Sequence, residues 1–341
     1  MAIEAQGSVR VDLLGGTLDL NPINVILPNV YTINLATSLK AVVRIDHTQE
    51  DGVRIKSLDY KSEHFFSREQ FIHSLQAETF KELYFVALIL DYFRLHSKVV
   101  IELVSGSPTG AGLGGSSAMG VTLFKAVCLF LNKECDREEA IRVVNNIEAR
   151  MLDCGPAGYQ DYYPALYGGV LALSPDFGKV KVEQLFSKEL KAFLESHLTL
   201  VYSGETRLSG INNWEVYKAF FNKDEKVRQG LSKISEHALV AYQSIVKNDL
   251  PLLLKSLCRE GEERVKLFPG IMTPNMLALK EKLLELNLAY GLKVCGAGGG
   301  GCFLIAHHQD HGQKIKNFIE DFNKVHHIEM RVLNFEVEGS L

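Results

Sequence analysis

The stretch Ser107–Met119, with the sequence SPTGAGLGGSSAM, constrains the fold of this chain more than any other feature. Four glycines fall within the six residues 110 to 115, and two serines then open an apolar run that predicts a helix from about Ser116. Because glycine has no Cβ, successive backbone N–H groups of such a loop turn inward and approach a ligand closely. The first N–H groups of the helix and the positive end of its dipole favour an anion. We therefore predict a phosphate-binding loop between a strand and a helix.

Three other glycine motifs fit this stretch poorly. Gly110, Gly112 and Gly115 have the spacing of a dinucleotide-binding loop, but Pro108 separates them from the preceding strand, and no second strand with an acidic end follows. The Walker A motif requires lysine where Ser116 stands, and the G-x-S-x-G pattern of a nucleophile elbow is absent from the sequence here. A tight turn without a ligand stays an alternative, although such a turn needs only one or two glycines.

Length and composition limit the class of protein. At 341 residues the chain exceeds one ordinary domain, so we expect two domains that share a cleft. A net charge of −4 with scattered Lys and Arg argues against nucleic-acid binding. The six cysteines form no C-x-x-C pair, and several sit in apolar runs as reduced thiols would, which favours a cytoplasmic location. Asp91 and Lys125 interrupt the most apolar stretches, so we expect no membrane association.

The pattern P-x-G-x-G-L-G-G-S-S-A resembles the phosphate-binding loop of the GHMP kinases, the superfamily of galactokinase, homoserine kinase, mevalonate kinase and phosphomevalonate kinase. The resemblance implies an ATP site at this loop, with the triphosphate lying over the helix that begins near Ser116. The residues that the resemblance assigns to ATP are Pro108, Gly110, Ala111, Gly112, Leu113, Gly114, Gly115, Ser116, Ser117 and Ala118.

A second motif lies near the start of the chain. Residues 9 to 14 alternate charged and apolar side chains, which predicts a half-buried strand, and surface residues on an edge strand are one interpretation of its charges. The sequence R-V-D-L-L-G-G-T-L-D-L is similar to the first motif of sugar-specific GHMP kinases. The resemblance implies that Arg10 lies beside the reacting hydroxyl, that Asp19 holds sugar hydroxyls, and that Gly16 and Thr17 face the substrate. Galactokinase has Glu-His where Gly16 and Thr17 stand, which argues against galactose.

The helix after the glycine loop is followed by a second helix that runs to about Leu152. Asp136 and Glu139 have the spacing of its N-terminal cap, and Glu148 falls on its apolar stripe. A carboxylate that faces inward needs a pairing cation, so Glu148 is either a structural salt-bridge partner or a metal ligand. The resemblance implies that Ser117 and Glu148 hold Mg²⁺.

Asp161 follows a Gly/Pro turn at residues 154–158. Simple turn chemistry explains Asp153 well, but Asp161 lies beyond the turn and has aromatic and apolar neighbours. The segment resembles the G-x-x-x-D stretch of the family, whose aspartate orients or deprotonates the acceptor hydroxyl. Asp161 with Arg10 is therefore the predicted catalytic pair.

The composition shifts towards charged helices after residue 185, and we predict a domain boundary near residue 190. The Gly-x-x-Arg-x-Ser pattern resembles a segment of heptose-phosphate members, which implies that Arg207 binds a substrate phosphate; a solvated loop is the alternative. Amphipathic helices are predicted at 227–247, 250–266 and 273–288, and a helical segment from about Ser67 to His96. The glycine run within Leu292–Ala306 resembles the third GHMP motif, which assigns Gly298 to the substrate side.

The resemblance implies an α+β fold of two domains: an ATP-binding domain at 1–190, like ribosomal protein S5 domain 2, and a ferredoxin-like GHMP kinase C-terminal domain at 191–341. It implies a cytoplasmic kinase that uses ATP and Mg²⁺ on a sugar or sugar-phosphate hydroxyl, with heptose-7-phosphate 1-kinases as the most specific match. A mevalonate-type kinase, another sugar 1-kinase and a catalytically inactive nucleotide-binding regulator are the alternatives. The oligomeric state stays open, a homodimer included.

Overall fold

A computed structural model describes residues 2–59, 61–108, 110–152, 158–205 and 213–341. The strands over these residues are β1 Ile3–Leu14, β2 Thr32–His47, β3 Gly52–Ser57, β4 Ser62–Ser67, β5 Val99–Val104, β6 Val170–Asp176, β7 Lys179–Gln184, β8 Leu198–Tyr202, β9 Gly291–Val294, β10 Cys302–Ala306 and β11 Arg331–Leu333. The α-helices are α1 Ile23–Ile26, α2 Arg68–Gln76, α3 Tyr84–Tyr92, α4 Gly115–Phe130, α5 Arg137–Leu152, α6 Tyr163–Tyr167, α7 Lys188–His197, α8 Asn213–Phe221, α9 Glu225–Val246, α10 Leu250–Leu267, α11 Pro274–Glu285 and α12 Gly312–His326.

Side-chain caps fix where many of these helices begin. The Ser67 hydroxyl accepts from the Gln70 N–H while the Gln70 side chain accepts from the Ser67 N–H, a complete capping box. Asp249 caps α10, and Thr273 caps α11 with a proline following. Helix α4 differs, because its N-cap is Gly114 with φ 67° and no side chain caps it. The first N–H groups of α4 are therefore left to another acceptor.

The chain divides into two compact units that are discontinuous in sequence. The first unit comprises residues 2–9, 39–108 and 114–167, and the second comprises residues 10–38, 110–113 and 168–341. The domain boundary predicted near residue 190 stays a prediction. Among the described residues, no helix combines the length and apolarity that crossing a membrane requires.

The first unit contains strands in the order β4-β3-β5-β2, in which β3 and β5 are parallel and the other neighbours antiparallel. Helix α4 packs closely on its neighbours at Gly120, where an added Cβ would lie 2.5 Å from Val144 and 2.6 Å from Phe85. Ser116 lies one turn before Gly120 on α4, and Glu148 lies one turn after Val144 on α5. The close packing at Gly120 thus sets the Glu148 side chain beside the start of α4.

The second unit contains a four-stranded antiparallel sheet in the order β11-β8-β10-β9, and strands β2, β6 and β7 are neighbours in that order. Its main core is formed by apolar side chains from this sheet, from helices α8 to α12 and from residues 18–30. Members of this core include Leu18, Val201, Leu231, Met276, Phe303 and Ile319. The amphipathic helices predicted at 227–247, 250–266 and 273–288 correspond to α9, α10 and α11.

The prediction of one helical segment from about Ser67 to His96 is wrong, because the structure has two separate helices there. Helix α2 ends at Gln76, and Glu78 and Lys81 have φ values of 53° and 51°. A positive φ cannot continue a right-handed helix, so a second helix, α3, starts after a short turn.

Candidate active site

The N-terminus of α4 lies in the first unit and begins one residue before the predicted Ser116. The Ala118 N–H donates to the Gly114 carbonyl at 2.9 Å, which is the first bond of the helix. The N–H groups of Gly115, Ser116 and Ser117 therefore have no acceptor within the helix. A helix end of this kind binds an anion such as phosphate.

Glu148 is bound by three hydroxyl groups at this helix end. The hydroxyls of Ser116 and Ser117 each donate to its carboxylate at 2.7 Å, and the Tyr162 hydroxyl donates at 2.6 Å. Burial, and next the charge of Glu148, raises the pKa of Tyr162 well above its ordinary value, so the phenol keeps its proton. Over the described part of the chain, no cationic side chain pairs with Glu148. Its partners leave its negative charge uncompensated.

The oxygens of Ser117 and Glu148 fit a magnesium ion. They are 2.7 Å apart, whereas neighbouring ligands in an octahedron of Mg²⁺–oxygen distances near 2.1 Å are separated by roughly 3 Å. Mg²⁺ bound to ATP takes one or two protein oxygens, and phosphate oxygens and water complete its shell. The two side chains therefore meet the requirement for donor type and spacing.

Asp161 lies against the backbone of the glycine loop. A Cβ built on Gly114 would be 3.1 Å from the Asp161 Cγ and 3.3 Å from its Oδ2. The absence of a side chain at Gly114 lets the carboxylate come this close. The first unit thus brings together Asp161, the start of α4, Ser117 and Glu148, all predicted as site residues. Their roles stay predictions.

In the second unit, protein donors hold the carbonyl groups of the glycine loop. The Arg10 N–H donates to the Leu113 carbonyl at 3.0 Å, and its guanidinium donates to the Gly112 carbonyl at 2.5 Å. The Cys302 N–H donates to the Ala111 carbonyl at 2.7 Å. Because these three carbonyls accept from the protein, their negative dipole ends are compensated, which favours an anion at this loop. Buried Arg10 thus makes contact with the predicted ATP-binding residues.

The glycine run between β9 and β10 packs on the same loop. A Cβ at Gly301 would lie 2.8 Å from the carbonyl oxygens of both Gly110 and Ala111, so only glycine fits there. Gly298, with φ 78°, lies against Ile271 instead, whose carbonyl oxygen is 2.5 Å from the position of a Cβ. The substrate role predicted for Gly298 stays a prediction. Arg207, predicted for the substrate side, lies outside the described residues.

The turn at Gly15–Thr17 carries the predicted substrate residues. Thr17 has φ 74°, a conformation that a β-branched residue adopts at a cost of about 1–3 kcal/mol. The Gly15 N–H donates to Glu260 at 2.7 Å, while Arg264 donates to the Gly16 carbonyl and, at 3.2 Å, to the Thr17 hydroxyl. Side chains beneath this turn therefore hold it in its strained conformation.

Sequence reasoning missed the charged cluster that supplies these contacts. Lys293 lies 3.1 Å from Asp12 and 3.5 Å from Glu260, and Arg264 lies 3.9 Å from Asp12 and 3.8 Å from Glu260. All four side chains are at most 2% exposed. We call Asp12, Glu260, Arg264 and Lys293 the buried ion network. The sequence signal that could have revealed the network was the pair Glu260 and Arg264, which lie four residues apart. Their helix, α10, was predicted only as a packing element.

The network shifts its two carboxyl groups in opposite directions. Burial alone would raise the pKa of Asp12, but Lys293, Arg264 and Arg10 together outweigh it and hold that pKa below its ordinary value. Burial is the main cause that raises the pKa of Glu260, and the like charge of Asp12 adds to it; together they outweigh Lys293 and Arg264. The Asp12 carboxylate is thus the more firmly ionised of the two.

Two family models match the chain. The model of the GHMP kinase N-terminal domain matches residues 79–169, and that of the GHMP kinase C-terminal domain matches residues 241–325. The first match contains the glycine loop, Glu148 and Asp161. Together the two matches span just over half of the 341 residues.

Individual relatives and solved structures agree with the family models. The chain is 26% identical to the D-glycero-alpha-D-manno-heptose 7-phosphate kinase of Campylobacter jejuni, over 88% of this chain and 87% of that protein. It is 25% identical to the mevalonate kinase of Methanocaldococcus jannaschii, over 86% and 89% of the two chains. The crystal structure of Lactococcus lactis galactokinase complexed with galactose superimposes with a TM-score of 0.78 at 14% identity, covering 100% of this chain and 95% of that one. This last likeness is one of fold.

These matches confirm the predicted fold class as a two-domain GHMP kinase fold with mixed α and β content. They also confirm a small-molecule kinase, a phosphotransferase with an alcohol group as acceptor and ATP as donor. The chain, with its glycine loop at the start of α4, belongs to the GHMP kinase family.

Proposed function

We propose that this chain transfers the γ-phosphoryl group of Mg·ATP to the 1-hydroxyl of D-glycero-D-manno-heptose 7-phosphate. The observation that carries the proposed chemistry is the position of the Asp161 carboxylate against Gly114, at the start of the helix whose serines bind Glu148. The proposed substrate rests on the likeness to the Campylobacter jejuni heptose kinase and on the polar first motif.

The phosphates of ATP lie on the glycine loop, residues 108–118, in this proposal. The N–H groups of Gly115, Ser116 and Ser117 donate to phosphate oxygens, since the helix offers them no acceptor. An exposed helix end contributes only about 0.3–1 kcal/mol to anion binding, so the loop needs further groups to promote the reaction.

Ser117 and Glu148 hold Mg²⁺, which neutralises charge on the transferred phosphoryl group. The uncompensated charge of Glu148 and the 2.7 Å spacing of the two oxygens support this assignment. Tyr162 orients the Glu148 carboxylate and stays protonated.

Asp161 orients the acceptor hydroxyl by accepting its hydrogen bond, and Arg10 is its proposed catalytic partner. The acceptor oxygen bonds to the γ-phosphorus and gives its proton to the Asp161 carboxylate, while the bond from the γ-phosphorus to the bridging oxygen breaks and ADP leaves. By holding the acceptor oxygen in line with the bond that breaks, Asp161 lowers the entropic part of the barrier.

A polyhydroxylated acceptor suits the first motif. Asp19 is buried at the end of the motif, and Gly16 and Thr17 present a fixed turn beside it in sequence. In this proposal Asp19 binds hydroxyl groups of the sugar, and Arg207 binds its 7-phosphate through the paired N–H groups of a guanidinium. We propose residues 1–190 as the ATP-binding domain and residues 191–341 as the C-terminal domain.

We also propose that the protein works in the cytoplasm. Of the six cysteines in the chain, five fall in its described part and all five are free thiols. Free thiols in or near the core fit a reducing compartment.

Mevalonate is the second candidate acceptor, because 25% identity to a mevalonate kinase nearly equals the value for the heptose kinase. Mevalonate carries a carboxylate and few hydroxyls, so the Asp19 carboxylate argues against it. A catalytically inactive nucleotide-binding regulator is the third candidate function. The presence of Asp161, Glu148 and Ser117 together argues against that function, since binding alone does not need all three.

An ADP-release assay over a panel of acceptors separates the three. Heptose 7-phosphates, free heptoses, hexoses, hexose phosphates and mevalonate are each compared with an acceptor-free control at fixed Mg·ATP. We expect the heptose 7-phosphate to stimulate ADP release most. Preferred release with mevalonate would replace the proposed substrate, and nucleotide binding without any stimulation would establish the regulator.

A further inference from the structure

The buried ion network lies inside the second unit, and stabilisation of the fold does not suffice to account for it. Its four charges are at most 2% exposed. Replacing a buried ionic cluster by apolar side chains of similar volume is often neutral or stabilising, so such clusters are weak contributors to stability. What the network touches is therefore more informative than the charge pairing itself.

The network holds three polar groups of the Gly15–Thr17 turn. The Gly15 N–H donates to Glu260, and the Gly16 carbonyl and Thr17 hydroxyl accept from Arg264. The close fit extends to the Asp12 carboxylate, since a Cβ at Gly16 would lie 2.0 Å from its Oδ2. The turn thus rests directly on the charged groups.

Arg264 also connects this turn to a second one. Its Nη1 donates to the Gly296 carbonyl at 2.7 Å, while its Nη2 reaches Gly16 and Thr17. One planar guanidinium therefore spans the turn after β1 and the glycine run after β9. Lysine has a single donor centre and cannot make this fork.

A turn held in this way has its conformation before any ligand arrives. Thr17 has φ 74°, which a free loop would leave for a more favourable conformation. Preorganised contacts raise affinity and rate because the ligand does not have to order them.

We propose that the buried ion network positions the Gly15–Thr17 turn for the acceptor, with Arg264 as the main positioning residue. The inference rests on the proposed function, in which Gly16 and Thr17 face the acceptor. Because its side chains are almost fully buried, the network acts through the turn and sets where the turn presents its atoms.

The variant Arg264→Lys tests the fork, because it keeps the positive charge but cannot bridge the two turns. We expect the KM for the acceptor to rise by about 10- to 100-fold, as for a small displacement of substrate-positioning groups. The KM for ATP should change by less than about twofold, since ATP-binding contacts are retained. Arg259→Lys, at an exposed position of the same helix, is the matched control and should change neither value.

An unchanged acceptor KM, or an equal rise in both KM values, would overturn the positioning role. The acceptor used is the compound that gives the most ADP in the panel. If heptose 7-phosphate is not a substrate, the proposed acceptor is refuted. The KM values of the parent and the Arg264→Lys protein can still be compared with the acceptor that does react. If no compound stimulates ADP release, both proposals are refuted.

Hydrogen exchange in the unmodified protein tests the same inference without a variant. We expect the peptide covering residues 12–20 to exchange slowly in the free protein and to gain further protection with acceptor but not with a non-hydrolysable ATP analogue alone. Rapid exchange in the free protein, or full protection by the analogue alone, would contradict a turn that is preformed for the acceptor.

Discussion

Two inward-facing glutamates, one in each unit, have partners of opposite kind. Glu148 on α5 accepts hydrogen bonds from three hydroxyl groups, and no described cationic side chain pairs with it. Glu260 on α10 is fully buried, lies near Arg264 and Lys293, and accepts the Gly15 N–H. The first carboxylate is oriented but not neutralised; the second is neutralised within the protein.

This difference predicts different consequences of mutation. A carboxylate without an internal cation attracts an external one, so changes near Glu148 should alter metal dependence and rate with little loss of stability. A carboxylate within a balanced buried cluster is costly to leave unpaired, so changes in the buried ion network should lower stability.

Among changes near the start of α4, where Glu148 lies, Asp161→Asn should have the largest effect on the reaction rate. We expect phosphoryl transfer to fall by about 10²–10⁴-fold, because the acceptor hydroxyl loses its charged hydrogen-bond acceptor. Nucleotide affinity and unfolding midpoint should stay close to those of the parent. The assay is ADP release with the preferred acceptor, and Asp46→Asn at an exposed position of β2 is the control. Activity within a few-fold of the parent would remove Asp161 from its role.

Lys293→Met should have the largest effect on stability. It removes the cation nearest to both Asp12 and Glu260 and leaves Arg264 as the one cation of the network. Breaking a buried pair in this way costs about 3–5 kcal/mol. Urea unfolding followed by circular dichroism measures the change against Lys282→Met, whose exposed side chain makes only a surface pair. A cost no larger than that of the control would show that the network is not electrostatically coupled.

Glu148→Gln should change metal dependence and alter stability little. The amide oxygen still accepts hydrogen bonds, and a serine hydroxyl that faces the amide nitrogen can turn to accept one from it. Loss of the charge should raise the Mg²⁺ concentration at half-maximal activity by on the order of tenfold, equivalent to about 1.4 kcal/mol. The measurement is a Mg²⁺ titration of ADP release at saturating ATP. An unchanged titration would return Glu148 to a purely structural role.

The smallest effect separates the two serines. Ser117→Ala removes a proposed metal ligand and a hydrogen bond whose net value is about 0.5–1.5 kcal/mol, so we expect a rise of a few-fold in the half-maximal Mg²⁺ concentration. Ser116→Ala removes a hydrogen bond of the same 2.7 Å length to the same carboxylate and serves as the matched control. Equal titrations for the two variants would contradict the assignment of Ser117.

The glycine loop, the start of α4 and the position of Glu148 were predictable from sequence, because the patterns that indicate them are local. Four glycines before an apolar run predicted the loop and the start of α4, and helical spacing placed Glu148 on an inward face. The helix start predicted at about Ser67 agrees with α2, which begins at Arg68 with Ser67 as its N-cap. What the pattern could not predict is the end of α2, which depends on positive φ values at residues other than glycine.

The buried ion network was not predictable in the same way, because its contacts are distant in sequence. Asp12 and Lys293 are 281 residues apart, and neither lies in a motif that names the other. The periodicity of α10 identifies its buried face but does not distinguish a buried ionic pair from charges at the edge of that face. Lys293, within a short apolar strand, gave no pattern that predicted a partner.

Phosphorus NMR of the complete reaction tests the central claim most directly. With ATP, Mg²⁺ and the heptose 7-phosphate, we predict a new phosphate monoester signal coupled to the anomeric proton, growing as the γ-phosphate signal of ATP disappears. The same mixture with the Asp161→Asn protein should show neither change. Consumption of ATP to free phosphate alone, with no phosphorylated acceptor from any compound of the panel, would contradict the account.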